Sequence, residues 1–253
     1  MSTATIDELE LADDPASWEA LGFAVADHTC RIGAVRLRFA GAGAGAVAGV
    51  STAAGAGVGA GAGVSAGAGV SAGAGILGWS LRGIDSAELD GLPTAVSHNS
   101  IPAEAPAHPN GVRAIDHVVV FSPALERTVT ALQAAGLDLR RIREEPTPAG
   151  APRQAFFRLA SVILEVVQMP DDALARSGGR DGPARFWGLA LLVADLDGAA
   201  ERFAPHLSDI RPAVQPGRRI ASVRRSAGLC VPLALMSAAG EAVAGVNAGE
   251  GGG

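Results

Sequence analysis

Two residues of chemical interest stand inside apolar, strand-like runs. His117 lies in Ile115-Asp116-His117-Val118-Val119-Val120, and Glu165 in Val162-Ile163-Leu164-Glu165-Val166-Val167. An imidazole titrates near neutral pH, so His117 suits proton transfer as well as metal ligation. A carboxylate with apolar neighbours on both sides faces solvent or an apolar cleft, and in a cleft it needs a partner. Each residue also has a structural alternative: a packed strand histidine, and a carboxylate held in an ion pair. Two groups of arginines come next. Arg153 and Arg158 bracket a strand-like run, and Arg218-Arg219 follow a Pro-Gly turn. A guanidinium can grip an anionic group through paired hydrogen bonds, although an arginine is also an ordinary surface residue. Arg153, Arg158 and Arg219 are the substrate-binding candidates.

Composition narrows the function classes. All 20 basic residues are arginine, and the net charge is −6. The charge is mildly acidic and spread out, whereas a nucleic-acid surface needs clustered cations. Cys30 and Cys230 stand far apart with no CxxC, so they form neither a zinc motif nor a disulfide framework. The acidic start of the chain lacks the basic and apolar segments of a signal peptide. The longest uncharged run, 40–79, is Gly, Ala, Val, Ser and one Thr before Ile76, with almost no large aliphatic residue, too little apolar surface for a membrane span. A cytoplasmic protein with no nucleic-acid or membrane partner is the expectation. No GxGxxG joins a strand to a helix, so no nucleotide loop is read, and no serine sits in a nucleophile elbow.

The elements that must position His117 and Glu165 follow from hydrophobic period. Residues 114–121 read as a strand, 123–137 as a helix with Leu125, Val129 and Leu132 on one side, and 140–144, 155–159 and 162–168 as strands. The order is βαβββ. After a loop it recurs: a strand over 187–193, a helix over 195–207 capped by Asp195, and strands over 210–214, 219–224 and 230–236. Phe156, Phe157, Phe186 and Trp187 read as core. Upstream, 5–14 alternates apolar and acidic residues as a half-exposed strand. Residues 15–22 form a short helix with Asp14 as its cap and Pro15 in its first turn, and strands follow at 29–32 and 34–39. Residues 40–75 are low-complexity Gly/Ala, read as a disordered insertion that a host fold carries at little entropic cost. Strand character returns over 76–82. Residues 85–111 read as a linker, and 239–253 as a disordered tail.

The two βαβββ units align on their first strands, with His117-Val118-Val119-Val120 against Gly188-Leu189-Ala190-Leu191. They align on their last strands, with Val162 to Val167 against Val231 to Met236. More loosely, Ile6-Asp7-Glu8 matches Ile115-Asp116-His117, and Ile76 to Trp79 matches Ile163 to Val166. That alignment makes 1–39 plus 76–84 a divergent single module, split by 40–75 before its last strand.

Paired βαβββ modules with a histidine in the first strand and a glutamate in the last resemble the vicinal oxygen chelate superfamily. It includes glyoxalase I, bleomycin- and fosfomycin-resistance proteins and extradiol dioxygenases. Ile115-Asp116-His117-Val118-Val119 and Val193-Ala194-Asp195-Leu196-Asp197 carry the resemblance, which covers about 112–238. It implies an α+β fold of repeated βαβββ modules whose curved mixed sheet surrounds a cleft. It also implies one divalent metal ion held from the first and last strands of both modules. Carried over, His117 and Glu165 are the catalytic and metal-binding candidates, and Gly188 and Ala234 occupy the other two ligand positions. The expected function is action on, or binding of, a small oxygenated metabolite. One form is a metal-dependent lyase, isomerase or dioxygenase; the other is a metal-free sequestering protein of the drug-resistance kind. A structural protein built on the Gly/Ala segment is a third class. An odd number of modules suggests that the first packs either beside the complete unit or against its mate in a homodimer.

Overall fold

The computed structural model describes residues 4–41, 75–100, 105–145, 153–176 and 179–238. The expected Gly/Ala insertion and tail therefore lie almost wholly outside the described residues. The described residues form two mixed sheets, of six and eight strands, with four short α-helices.

The larger sheet contains the two aligned repeats. The first repeat comprises β7 (Val112–Ser122), α2 (Leu125–Ala134), β8 (Asp138–Arg143), β9 (Gln154–Leu159) and β10 (Val162–Gln168). After α3 (Asp171–Arg176) the second comprises β11 (Arg185–Val193), α4 (Leu196–Phe203), β12 (Arg211–Pro212), β13 (Arg219–Ser222) and β14 (Leu233–Ser237). The smaller sheet is built from β1 (Thr5–Leu11), β2 (Val25–Ala26), β3 (Thr29–Ile32), β4 (Val35–Phe39), β5 (Ile76–Arg82) and β6 (Thr94–Val96), with α1 (Pro15–Ala20) after β1. The larger sheet runs β12-β13-β14-β11-β7-β10-β9-β8. In each repeat the last strand pairs in parallel with the first, and the repeats join through antiparallel β7 and β11. The expected α+β fold of repeated βαβββ modules is the fold observed.

Local sequence explains the helix starts. Asp14 accepts a hydrogen bond from the Ala16 N–H at 3.0 Å with Pro15 in the first turn, and Asp195 accepts from the Gly198 N–H at 2.9 Å. On β7, Val118, Val119 and Val120 are all fully buried, because the central strand is covered on both faces. On one face a single hydrophobic core joins the two sheets. Trp79 meets Phe186 at 5.1 Å and Phe23 meets Phe203 at 6.1 Å, both edge-on. The opposite, inner face of the larger sheet carries a second cluster around Val119, Phe121, Val167, Trp187 and Met236.

The N-terminal unit differs from expectation. The last strand of its first module is β4, which pairs in parallel with β1 as β10 does with β7. The 76–82 strand instead runs antiparallel to β1, as β11 does to β7, and β6 runs parallel to β5. The unit is thus one full module followed by a reduced one, and 40–75 falls between modules rather than inside a hairpin. The odd-module argument for a dimer lapses with this. The alternation of Val35, Leu37 and Phe39 marks a strand in sequence, but not which neighbour it takes.

Much of the stretch expected to be a linker is packed. Leu89 and Leu92 are buried, and β6 lies within it. Side chains fix it where no period could. Ser97 and Asn99 donate to Asp7 at 2.6 and 2.8 Å. The His108 Nδ1 accepts from the Ala24 N–H at 3.1 Å, and Asn110 donates to the Leu21 carbonyl at 3.0 Å.

Candidate functional site

His117 and Glu165 come together. Within the parallel β7–β10 pair, His117 is in register with Ile163, and Glu165 lies two residues further along on the same face. The His117 Nε2 is 3.7 Å from the Glu165 Oε2, beyond hydrogen-bond length. Both residues are buried, and that Nε2 has no hydrogen-bond partner. Burial drives the Glu165 carboxyl above its ordinary range, against the opposing pull of His117 and of the Gln154 amide, which donates to its Oε1.

A β-bulge adds a third group. Across the antiparallel β7–β11 pair, Ile115 faces Leu191 and His117 faces Ala190, so Asp116 is an extra residue. A bulge re-aims side chains that strict alternation would send to opposite faces. Asp116 thereby reaches its own neighbour, with its Oδ2 2.8 Å from the His117 Nδ1. Its other oxygen accepts from Arg218 at 2.6 Å. Burial pushes the Asp116 carboxyl up, but His117 and Arg218 together outweigh it and hold it below its ordinary value. An ionised Asp116 can only accept, so the His117 Nδ1 carries a proton and donates to it. Arg218 also donates to the Ser237 carbonyl at 2.9 Å and to the Gln215 side chain at 3.3 Å, tying the turn before β13 to β7 and β14.

A cavity of about 20 Å³ adjoins this cluster, with Arg141, Arg143, Gln154 and Glu165 on one wall and Val214 and Met236 on the other. That is room for about one or two waters. The Arg141 guanidinium lies 4.7 Å over the Phe156 ring. Neither Arg141 nor Arg143 forms an ion pair among the described residues.

The arginines expected from sequence lie elsewhere. Arg153 donates to Glu144 at 2.7 and 3.0 Å and pairs with Glu126, away from the cavity. Arg158 is exposed; it shares a face with Gln154 and Phe156 but does not line the cavity. Arg219 turns away from Arg218 and pairs with Asp197 at 2.9 and 3.0 Å. Its neighbour Arg218 is the one at the site, and Arg141, Arg143 and Asp116 join it unforeseen.

Two histidine/carboxylate donors do not make a metal centre. Within the second module Leu189 pairs with Leu233 as Val118 pairs with Leu164, so Gly188 and Ala234 hold the places of His117 and Glu165. Neither has a donor. A Cβ on Gly188 would sit 2.5 Å from the Pro232 carbonyl oxygen, and Ala234 is fully buried. Both Asp116 oxygens are engaged. Among the described residues no three His, Cys, Asp or Glu side chains gather as a cation would need. Protein sites for catalytic divalent ions supply three or four donors. The residues present do not fit such an ion.

The N-terminal sheet repeats the bulge without the site. Asp7 is the extra residue between Ile6 and Glu8, and it binds Arg82, Ser97 and Asn99. Glu8 stands where His117 stands and is neutralised by Arg36 and Arg38 at 3.3 and 2.9 Å.

No protein-family profile matches the sequence, and no curated protein does. Solved structures match. A variant of 4-hydroxymandelate synthase from Streptomyces coelicolor has TM-score 0.53 and 13% identity, covering 93% of each chain. A xylose isomerase-like TIM barrel/4-hydroxyphenylpyruvate dioxygenase fusion protein has TM-score 0.56 and 13% identity, covering 98% of this chain and 51% of that one. Methylmalonyl-CoA epimerase from Mycobacterium tuberculosis has TM-score 0.42 and 18% identity over 50% of this chain and 89% of its own. At these identities the first two likenesses speak to fold. The chain has the paired βαβββ fold that its resemblance to the vicinal oxygen chelate superfamily led us to expect.

Proposed function

We propose that the C-terminal pair of modules is a metal-independent binding unit for a small oxygenated metabolite. One observation carries this reading: two of the four positions that the resemblance assigns to metal ligands are Gly188 and Ala234, and the space beyond Gly188 is filled by Pro232. The inner face retains buried polar groups that a ligand could use, namely the His117 Nε2 and the Glu165 and Gln154 side chains. Arg218 brings a fixed positive charge to Asp116 without any ion. No helix among the described residues is long and apolar enough to cross a membrane.

The test is a screen of small oxygenated compounds against the full chain by thermal shift, with and without a chelator. Stabilisation that a chelator leaves intact supports the reading. Stabilisation that requires an added divalent ion refutes it. A second reading, proton transfer on the bound molecule, is favoured by the unpartnered Nε2 beside Glu165. It predicts solvent-deuterium exchange into a bound ligand that a His117→Gln variant loses.

A further inference from the structure

We infer that the N-terminal unit carries a second binding site, for a small zwitterion of the α-amino acid class, on the face of the smaller sheet that corresponds to the inner face of the larger one. This site is separate from the one at His117 and does not depend on the binding reading above. Strand register matches the two faces residue for residue. Glu8 faces Ser80 across β1 and β5 as His117 faces Ala190, and Glu10 faces Gly78 as Val119 faces Gly188. Arg38 pairs with Glu10 as Glu165 pairs with Val119, and Ala95 pairs with Ser80 as Ala234 pairs with Ala190. The Pro93 carbonyl accepts from the Trp79 N–H at 3.1 Å, as the Pro232 carbonyl accepts from the Leu189 N–H at 3.0 Å. The reduced module therefore keeps the Gly, Pro and Ala of its larger counterpart and then stops. Beyond β14 the larger sheet continues into β13 and β12, and Val214 walls in its small cavity, whereas β6 is the edge of the smaller sheet. The space left open is a cavity of about 280 Å³, bordered by Glu8, Glu10, Arg38, Leu77, Ser80 and Ala95. That is close to the size of small-molecule pockets, about 300 Å³ and upwards.

Charge selects the ligand class. Glu8 is held by Arg36 and Arg38 at 3.3 and 2.9 Å, and Arg38 also meets Glu10 at 3.0 Å. Two carboxylates and two guanidinium groups cancel, so a singly charged ligand would bring an uncompensated charge and a zwitterion would not. Arg38 meets Glu10 through its Nη2 and the Glu10 Oε2. Among the described residues the Arg38 Nη1, the Glu10 Oε1 and the Ser80 hydroxyl have no hydrogen-bond partner. An ammonium and a carboxylate on adjacent carbons can lie along this ion pair in the opposite sense, ammonium to Glu10 and carboxylate to Arg38. Leu77, Pro93 and Ala95 give the ligand's side chain an apolar surface.

The probes are leucine, 3-methylbutylamine and 4-methylpentanoate, titrated calorimetrically into the full chain at pH 7. The second is leucine without its carboxylate and the third is leucine without its ammonium. Leucine should bind, and each truncated probe about 5-fold or more weakly, because both partner groups are partly exposed and each charged contact is screened by water. In Arg38→Gln, leucine should lose its advantage over the amine; in Glu10→Gln, it should lose its advantage over the carboxylate. Ala95→Leu leaves every charge in place and fills the cavity, so it should abolish leucine binding. The urea midpoint of each variant reports whether it is folded. His117→Phe should leave leucine binding unchanged. No binding of leucine, equal affinities for the three probes, or binding that survives Ala95→Leu in a folded chain would overturn the inference. Leucine binding lost in His117→Phe would also overturn it, and would move the ligand to the larger sheet without refuting a binding role there.

Discussion

Replacing Asp116 by Asn strikes the group that joins the two modules at the site. Asp116 accepts from the His117 Nδ1 at 2.8 Å and from Arg218 at 2.6 Å, and the Asp116 and Arg218 side chains are only 16% and 14% exposed. Asparagine has almost the same shape but no charge, and it can satisfy only one of the two donors as an acceptor. The loss is that of two hydrogen bonds to a charged group, about 1.5–3 kcal/mol each, partly recovered by the new amide. We expect a net destabilisation of about 2–4 kcal/mol at pH 7, read from urea unfolding of the full chain. The pH dependence fixes the cause. The Asp116 carboxyl is held below its ordinary value of 3.8, so its contribution is present above that value and disappears as pH falls through the folded-state pKa. The gap between wild type and Asp116→Asn should therefore close in acid. A gap under about 0.5 kcal/mol at pH 7, within the range of ordinary surface changes, would refute the argument. So would a gap that persists unchanged in acid.

Three further outcomes follow from the same geometry. Gly188→Ala should destabilise by about 1–3 kcal/mol in thermal unfolding, because its Cβ would meet the Pro232 backbone oxygen at 2.5 Å. Asp13 is buried, and burial raises its carboxyl from 3.8 to about 6, against hydrogen bonds from the Cys230 and Val231 N–H groups. A raised carboxylate favours folding below its unfolded value and loses that contribution as pH rises through about 6, so Asp13→Asn should gain up to about 3 kcal/mol over wild type at pH 8 and little at pH 4. In nitrogen-detected NMR, the His117 ring should report a proton on Nδ1 when neutral, and Asp116→Leu should remove that bias; a proton on Nε2 in the wild type would contradict the site geometry.

The repeat was legible because its signals are local. The uninterrupted apolar runs Val118–Val120 and Leu189–Leu191, the Asp195 cap and the Asp14-Pro15 start each depend on a few adjacent residues. The approach of His117 to Glu165 was legible through the resemblance, which makes their strands neighbours. Asp116 was not, because strict alternation points it away from His117 and the bulge that reverses this depends on the partner strand β11. Arg218 and Arg219 look alike in sequence; only the start of β13 decides that Arg218 meets Asp116 and Arg219 meets Asp197. Arg141 and Arg143 sit in a short charged strand whose own bulge, between Leu139 and Arg141, resets which side chains face the cavity. The place of β5 was misread for a related reason: the choice between parallel and antiparallel pairing with β1 lies in the whole sheet, not in Ile76–Arg82 itself.

The central claim is that this inner face works without a metal. Its most direct test is elemental analysis of the purified full chain after dialysis against excess zinc, manganese and ferrous iron. We expect well under one ion per chain, and an unfolding midpoint that a chelator does not move. One tightly held divalent ion per chain, lost in His117→Ala and in Glu165→Gln, would contradict the account.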